Sequence, residues 1–105
     1  MITRSVLDTR YVAIPVTATG ANGLPINPTG DVVQFAFKSA GVNPGVGDWN
    51  TGSWATTSSG GYQAQILVGP ANGGVALTVG VYQIWVKVTD SPEVPVIPAD
   101  LLQIV

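Results

Sequence analysis

The chain of 105 residues contains no cysteine and no histidine. Disulfide bonds are therefore excluded as a source of stability, and so are Cys/His metal sites, a thiol nucleophile and an imidazole base. Charge is scarce as well, because Asp, Glu, Lys and Arg make up only 10% of the residues, whereas about 25% is usual. These absences argue against most enzyme classes and favour a structural or binding role.

The few cations are also dispersed along the chain. Arg4, Arg10, Lys38 and Lys87 are never adjacent, and the net charge is −2. Because a nucleic-acid surface needs clustered Lys and Arg, we expect no nucleic acid among the partners. We expect no membrane either, since no apolar run reaches the roughly 20 residues of a span and the first residues lack the apolar region of a signal peptide.

Hydrophobic residues make up 46% of the chain, which indicates a folded protein rather than a disordered one. The length suits a single domain over residues 1–105. Apolar residues alternate with polar ones in segments bounded by glycine, proline and asparagine, which is the pattern of half-buried strands. The alternation predicts strands in these residue ranges: 10–19, 31–38, 48–57, 62–68, 81–90 and 101–105.

Three details refine the predicted strands. Pro15 cannot donate a ladder hydrogen bond, so its strand is expected at a sheet edge or at a bulge. Gly52 is expected to kink the segment 48–57. The apolar faces of the strands predict a core made of Phe35, Phe37, Ile66, Tyr82, Ile84, Val86 and Val88.

The spacing of the turns indicates the fold class. Turn signals recur about every 8–12 residues, which is typical of a β-sandwich. Tyr82 follows Gly80 by two positions at the start of a strand, where immunoglobulin-like sandwiches have a tyrosine whose hydroxyl bonds back to the upstream backbone. A plain buried tyrosine explains the same pattern. We expect an all-β fold, an immunoglobulin-like antiparallel β-sandwich of about seven strands.

The ionisable residues form no catalytic or metal-binding pattern in the sequence. A serine or threonine nucleophile would need a lysine base, and neither Lys38 nor Lys87 lies in an S-x-x-K arrangement. The closest carboxylate pair, Asp90 and Glu93, lies in a proline-containing turn, and little chain is left to build a glycosidase cleft. The acids are too dispersed for calcium. We expect no enzyme activity, no catalytic residue, no cofactor and no metal.

The three tryptophans have two competing interpretations. Trp49 and Trp54 flank a short bend, and Trp85 occupies the polar face of the strongest strand. In one interpretation they form a sugar-stacking platform, as in carbohydrate-binding modules. In the other, one fills the core and the others contact proteins, because protein interfaces are rich in tryptophan and poor in charge. Trp85 is the best candidate for an exposed contact residue.

Two segments show too little apolar periodicity to be held firmly by the domain. They are the extended N-terminal segment 1–9 and the proline-rich segment 91–100. Prolines keep the second segment extended, which lowers the entropy cost of binding. We expect both segments to act as docking arms. The candidate protein-contact residues are therefore Trp49, Trp54, Trp85, Pro92, Glu93 and Pro95.

Several short strings carry a resemblance to a known class of proteins. They are LDTRYV at 7–12, VQFAF at 33–37, GDW at 47–49, GSW at 52–54 and YQIWVKVTDSPEVP at 82–95. With these strings the chain resembles small virion proteins of tailed bacteriophages, especially those encoded among the head and neck genes of phages infecting actinobacteria. It is also similar to the immunoglobulin-like modules of phage baseplate and decoration proteins.

The resemblance implies a structural protein without catalytic residues, which binds other virion proteins in many copies per particle. Its location would be the virion, assembled in the host cytoplasm. A capsid decoration subunit on the outer surface is the first expectation, and a head–tail junction or a tail or baseplate component is the alternative. A carbohydrate-binding or adhesion module that uses exposed tryptophans is the alternative of a different class.

Overall fold

In the computed structural model, which describes residues 1–16, 30–56, 62–89 and 94–105, the alternating segments form eight strands and one 3-10 turn. The strands are β1 (Ile2–Arg4), β2 (Arg10–Val16), β3 (Val32–Lys38), β4 (Asn50–Thr51), β5 (Ser53–Thr56), β6 (Tyr62–Val68), β7 (Gly80–Thr89) and β8 (Val96–Ile104), and the 3-10 turn is Val46–Asp48.

These strands form two sheets. The larger sheet has five strands in the order β1-β8-β7-β3-β4, and the smaller has three in the order β2-β6-β5. Every pair is antiparallel except β1 with β8, which is parallel. The expectation of an all-β sandwich is confirmed.

The core lies between the two sheets and follows the period-two pattern. The fully buried apolar residues come from alternate positions of facing strands: Val12, Ile14, Ala64, Ile66 and Val68 in the smaller sheet, and Val33, Phe35, Ile84, Val86, Leu102 and Ile104 in the larger. Each of the valine, leucine, isoleucine and phenylalanine side chains stabilises the fold by roughly 1.5–3 kcal/mol when it is fully removed from water. Phe37, Tyr82 and Val88 were predicted for this core and pack against it partly buried.

Gly52 lies where the chain passes from one sheet to the other. Before it β4 pairs with β3, and after it β5 pairs with β6. A Cβ atom at Gly52 would lie 2.7 Å from the carbonyl oxygen of Gln65 and 2.8 Å from Cε1 of Phe35. Only glycine fits this crossing without displacing its neighbours. The predicted kink is present, and it is a change of sheet within a segment that the sequence pattern treats as one strand.

Pro15 lies in β2, which is an edge strand of the smaller sheet, as predicted. An edge position accommodates a residue that cannot donate a ladder hydrogen bond. The rest of the strand predicted over 10–19 lies outside the described residues.

The predicted hydrogen bond from the Tyr82 hydroxyl group to the upstream backbone is present. Tyr82 Oη donates to the carbonyl oxygen of Thr78 at 2.9 Å, and its distance to the Thr78 hydroxyl is 3.0 Å. The bond ties the start of β7 to the residues that lead into it.

The segments expected to be loose arms are partly built into the larger sheet, so that prediction is wrong for them. Ile2–Arg4 pairs with β8, and Ile2 packs against the core. The strand that was expected to start at residue 101 starts at Val96. Residues 96–98 pair with β7, and residues 99–100 lie at a bulge in β8. Pairing with a neighbouring strand holds these segments, but β1 has only three residues and a bulge interrupts β8, so neither shows a long run of alternating apolar residues. Residues 90–93 lie outside the described residues.

A bulge in β8 explains why its first half escaped the pattern. The register slips between Gln83, opposite Leu101, and Trp85, opposite Pro98. The Gln83 side-chain amide donates to the carbonyl oxygens of Ala99 and Asp100, both at 3.2 Å. One side chain thus provides a hydrogen-bond donor for two carbonyl groups at the irregularity.

Candidate binding groove on the outer face of the larger sheet

The outer face of the larger sheet carries two tryptophans beside a small residue. Ala36 of β3 points away from the core, because Val33, Phe35 and Phe37 face inward, and it pairs with Trp85 of β7. Asn50 pairs with Phe35, so Trp49 comes next to Ala36 on its other side. Although Ala36 faces outward, its exposed fraction is 0%. The two tryptophans and their neighbours therefore cover the alanine that lies between them.

A groove of about 600 Å³ opens above this row. Its lining residues are Asn43, Pro44, Gly45, Val46, Trp49, Trp85, Lys87 and Val96. We call it the outer groove. One wall is the loop 43–46, and Val96 belongs to β8. The volume lies within the range of roughly 300–1,000 Å³ that is common for small-molecule sites.

Asp48 anchors the loop that forms this wall. Its Oδ2 accepts a hydrogen bond of 2.7 Å from the Gly45 backbone N–H and lies 3.2 Å from Lys38 Nζ. The Gly45 N–H and the Lys38 ammonium group together hold the pKa of Asp48 below its usual value. The carboxylate therefore stays charged at neutral pH and links the loop to the end of β3.

Lys87 supplies the charge of the outer groove. Its Nζ lies 4.5 Å from the centre of the Trp49 ring, which is a cation–π distance. Among the described residues, no carboxylate lies within salt-bridge distance of Lys87. Among the described residues, the groove lining contains Lys87 and no acidic residue, although the chain as a whole has a net charge of −2.

The structure separates the three candidate tryptophans. Trp49 and Trp85 line the outer groove, half-buried, whereas Trp54 packs against the core and its Nε1 donates to the Asp31 carbonyl oxygen at 2.9 Å. Trp54 therefore holds the sandwich together at the crossing and takes no part in the groove. The indole Nε1 of Trp85 is buried without a partner among the described residues.

The other candidates lie near the start of β8 or outside the described residues. Pro95 is exposed, and its carbonyl oxygen accepts a hydrogen bond from Val88 N at 3.1 Å. Pro92 and Glu93 fall outside the described residues. The sequence pattern missed Asn43 and Val96 as groove residues. Their placement depends on the path of the loop and on the register of β8, and neither leaves a local signal.

Eight of the exposed large hydrophobic residues lie near the two opposite ends of the larger sheet, and we treat them as two groups. One group, which we call the Val32 patch, consists of Val32, Val94, Val96 and Ile97, where β3 and β8 begin. The other, the Leu7 patch, consists of Val6, Leu7, Val79 and Val105, where β8 ends and β7 begins. Leu7 is 84% exposed and Val79 is 66% exposed. The main chain joins the second group, since Val6 N donates to the Val105 carbonyl oxygen at 2.8 Å.

Comparisons of the chain with protein-family models, with curated proteins and with solved structures gave no match. Within the described ranges, no three acidic side chains come together as metal ligands would. The same part of the chain contains no helix of the length and apolar character needed to cross a membrane.

Proposed function

We propose that this chain is a non-enzymatic structural subunit of a tailed-phage virion, a capsid decoration protein that binds other virion proteins on the outer surface. The observation that carries the proposal is the pair of apolar patches at the two ends of the larger sheet. Exposed apolar groups of this kind mark contact surfaces in proteins that assemble.

The energetics of the patches favour contact with protein. Apolar surface that is removed from water contributes roughly 25 cal/mol per Å², and the side chains of Leu7 and Val79 are still mostly in water. The chain has only 4 basic and 6 acidic residues to keep copies apart, whereas free monomers usually rely on charge for that purpose. Patches at opposite ends allow one copy to contact two neighbours.

The placement in a virion is supported by the resemblance of residues 7–12, 33–37 and 82–95 to small virion proteins of tailed phages. The bond from Tyr82 to the Thr78 carbonyl group supports the immunoglobulin-like version of the sandwich. A compact sandwich suits an outer-surface position. The head–tail junction and the tail or baseplate are the alternative placements within the same class.

Copy number and a deletion distinguish these placements. Quantitative mass spectrometry of purified particles should find on the order of hundreds of copies for a decoration subunit, against about a dozen for a symmetric neck ring. Particles assembled without the protein should lose resistance to heat and still attach tails. Particles with normal heat resistance that fail to attach tails would contradict the decoration role and favour the junction.

The patches themselves can be tested on the assembled particle. Val79→Lys places a charge in the Leu7 patch, and Val32→Lys places one in the Val32 patch. Each variant should fold, and it should bind particles assembled without this protein more weakly than the unchanged chain does. Thr3→Lys is a matched control on the exposed outer edge of β1. Equal binding by all variants would show that the patches are not contacts.

A second candidate function is favoured by one observation: Trp49 and Trp85 lie in the same open groove. Paired aromatic rings in a groove are suited to binding sugars. A carbohydrate-binding module would be retained on a polysaccharide column, and Trp49→Ala or Trp85→Ala would abolish the retention. This function is compatible with a position on the outer surface of a particle.

A further inference from the structure

We propose that the outer groove binds a saccharide that carries a carboxylate group, of the uronic-acid type. The inference rests on the second candidate function and names the chemistry of its ligand. Val96 belongs both to the groove lining and to the Val32 patch, whereas the Leu7 patch shares no residue with the groove. Val79→Lys therefore tests the structural role separately from the saccharide site.

The aromatic part of the groove provides the stacking surface. The indole rings of Trp49 and Trp85 lie on either side of the buried Ala36, in an open groove of about 600 Å³. A pyranose ring has an apolar face of C–H groups and a rim of hydroxyl groups. Large aromatic side chains present a flat apolar surface of matching size. The volume accommodates a short oligosaccharide.

The polar part of the groove matches a sugar better than a peptide. Within the described residues, β3 pairs along its length with β7 and, at Gln34 and Phe35, with the short edge strand β4. An extended peptide laid across the face of the sheet, rather than along that edge, would gain no main-chain bonding. Sugar hydroxyl groups need only side-chain partners, and the amide of Asn43 offers both donors and an acceptor.

Charge decides between a neutral and an acidic sugar. Among the described residues, Lys87 is the only ionised one that lines the groove, and its ammonium group lies 4.5 Å from the centre of the Trp49 ring. A carboxylate on a sugar stacked in the groove would come within reach of that ammonium group. The nearby acid, Asp48, is already engaged by Lys38 and by the Gly45 N–H. The groove is thus complementary to an anion.

Calorimetric titration of the full chain provides the test, with oligogalacturonate and a neutral oligosaccharide of the same length as probes. The acidic probe should bind at least tenfold more tightly at low salt, and added salt should reduce this preference because the contact is exposed. Lys87→Gln should bring the acidic probe down to the level of the neutral one. Trp49→Ala should abolish binding of both.

Tyr11→Ala is the matched control, because Tyr11 is an aromatic residue of the opposite sheet that is 54% exposed. It should leave both affinities unchanged. If Trp49→Ala fails to fold by circular dichroism, Lys87→Gln alone decides the question of charge. Equal binding of both probes would overturn the acidic ligand and leave the carbohydrate function standing. If neither probe binds, or if only an acidic proline-rich peptide binds, both the acidic ligand and the carbohydrate function are overturned.

Discussion

Gly52→Ala tests whether the crossing between the sheets is built as described. The added methyl group would lie 2.7 Å from the Gln65 carbonyl oxygen and 2.8 Å from Cε1 of Phe35. Neither neighbour can move easily. The Gln65 carbonyl oxygen belongs to the backbone of β6, which pairs with β5, and the Phe35 side chain is 0% exposed. Overpacking of this kind costs about 1–3 kcal/mol, and the two fixed neighbours favour the upper half of that range.

Urea unfolding followed by tryptophan fluorescence measures the cost. With a slope of about 1–3 kcal/mol per molar urea, a loss of about 2–3 kcal/mol lowers the unfolding midpoint by roughly 0.7–3 M. Gly47→Ala is the matched control, since a Cβ atom there meets nothing within 4 Å. Its midpoint should stay close to that of the unchanged chain. Equal midpoints for both variants would refute the tight crossing at Gly52.

Three further predictions concern the core, a hydrogen bond and an ion pair. Phe35→Ala should lower the free energy of unfolding by about 3–5 kcal/mol, and Phe37→Ala by less because Phe37 is only partly buried; a larger loss for Phe37 in urea unfolding would reverse this ranking. Tyr82→Phe removes the bond to the Thr78 carbonyl group and should cost about 0.5–1.5 kcal/mol in thermal unfolding; an unchanged melting temperature would contradict it. The lowered pKa of Asp48 means that its charged form stabilises the folded chain above the unfolded pKa and that this contribution is lost as pH falls through the folded pKa. Asp48→Asn should therefore unfold at lower urea than the unchanged chain at neutral pH, with the gap closing in acid; a gap that does not depend on pH would rule out the charge.

The position of the groove residues shows which functional signals were readable in advance. Trp85 stood out in the sequence because it occupies the polar face of a strand, and Trp49 because it flanks a short bend together with Trp54. Their separation from Trp54 did not stand out. It depends on Gly52, which turns Trp54 toward the other sheet while Trp49 stays on the first. The sequence assigns Lys87 no role in a site, and only the structure places it against Trp49.

The sequence by itself determined the strands whose apolar faces meet the core. Residues 62–68 and 81–90 were predicted from alternation and turn residues, and they agree with Tyr62–Val68 and Gly80–Thr89 within a residue. Tertiary structure alone decided the pairing of β1 with β8, the bulge opposite Gln83 and the assembly of the outer groove. The physical reason is that burial repeats every second residue along one strand and is therefore local. Pairing uses backbone groups that every residue shares, so the choice of partner and register depends on contacts between segments far apart in the chain.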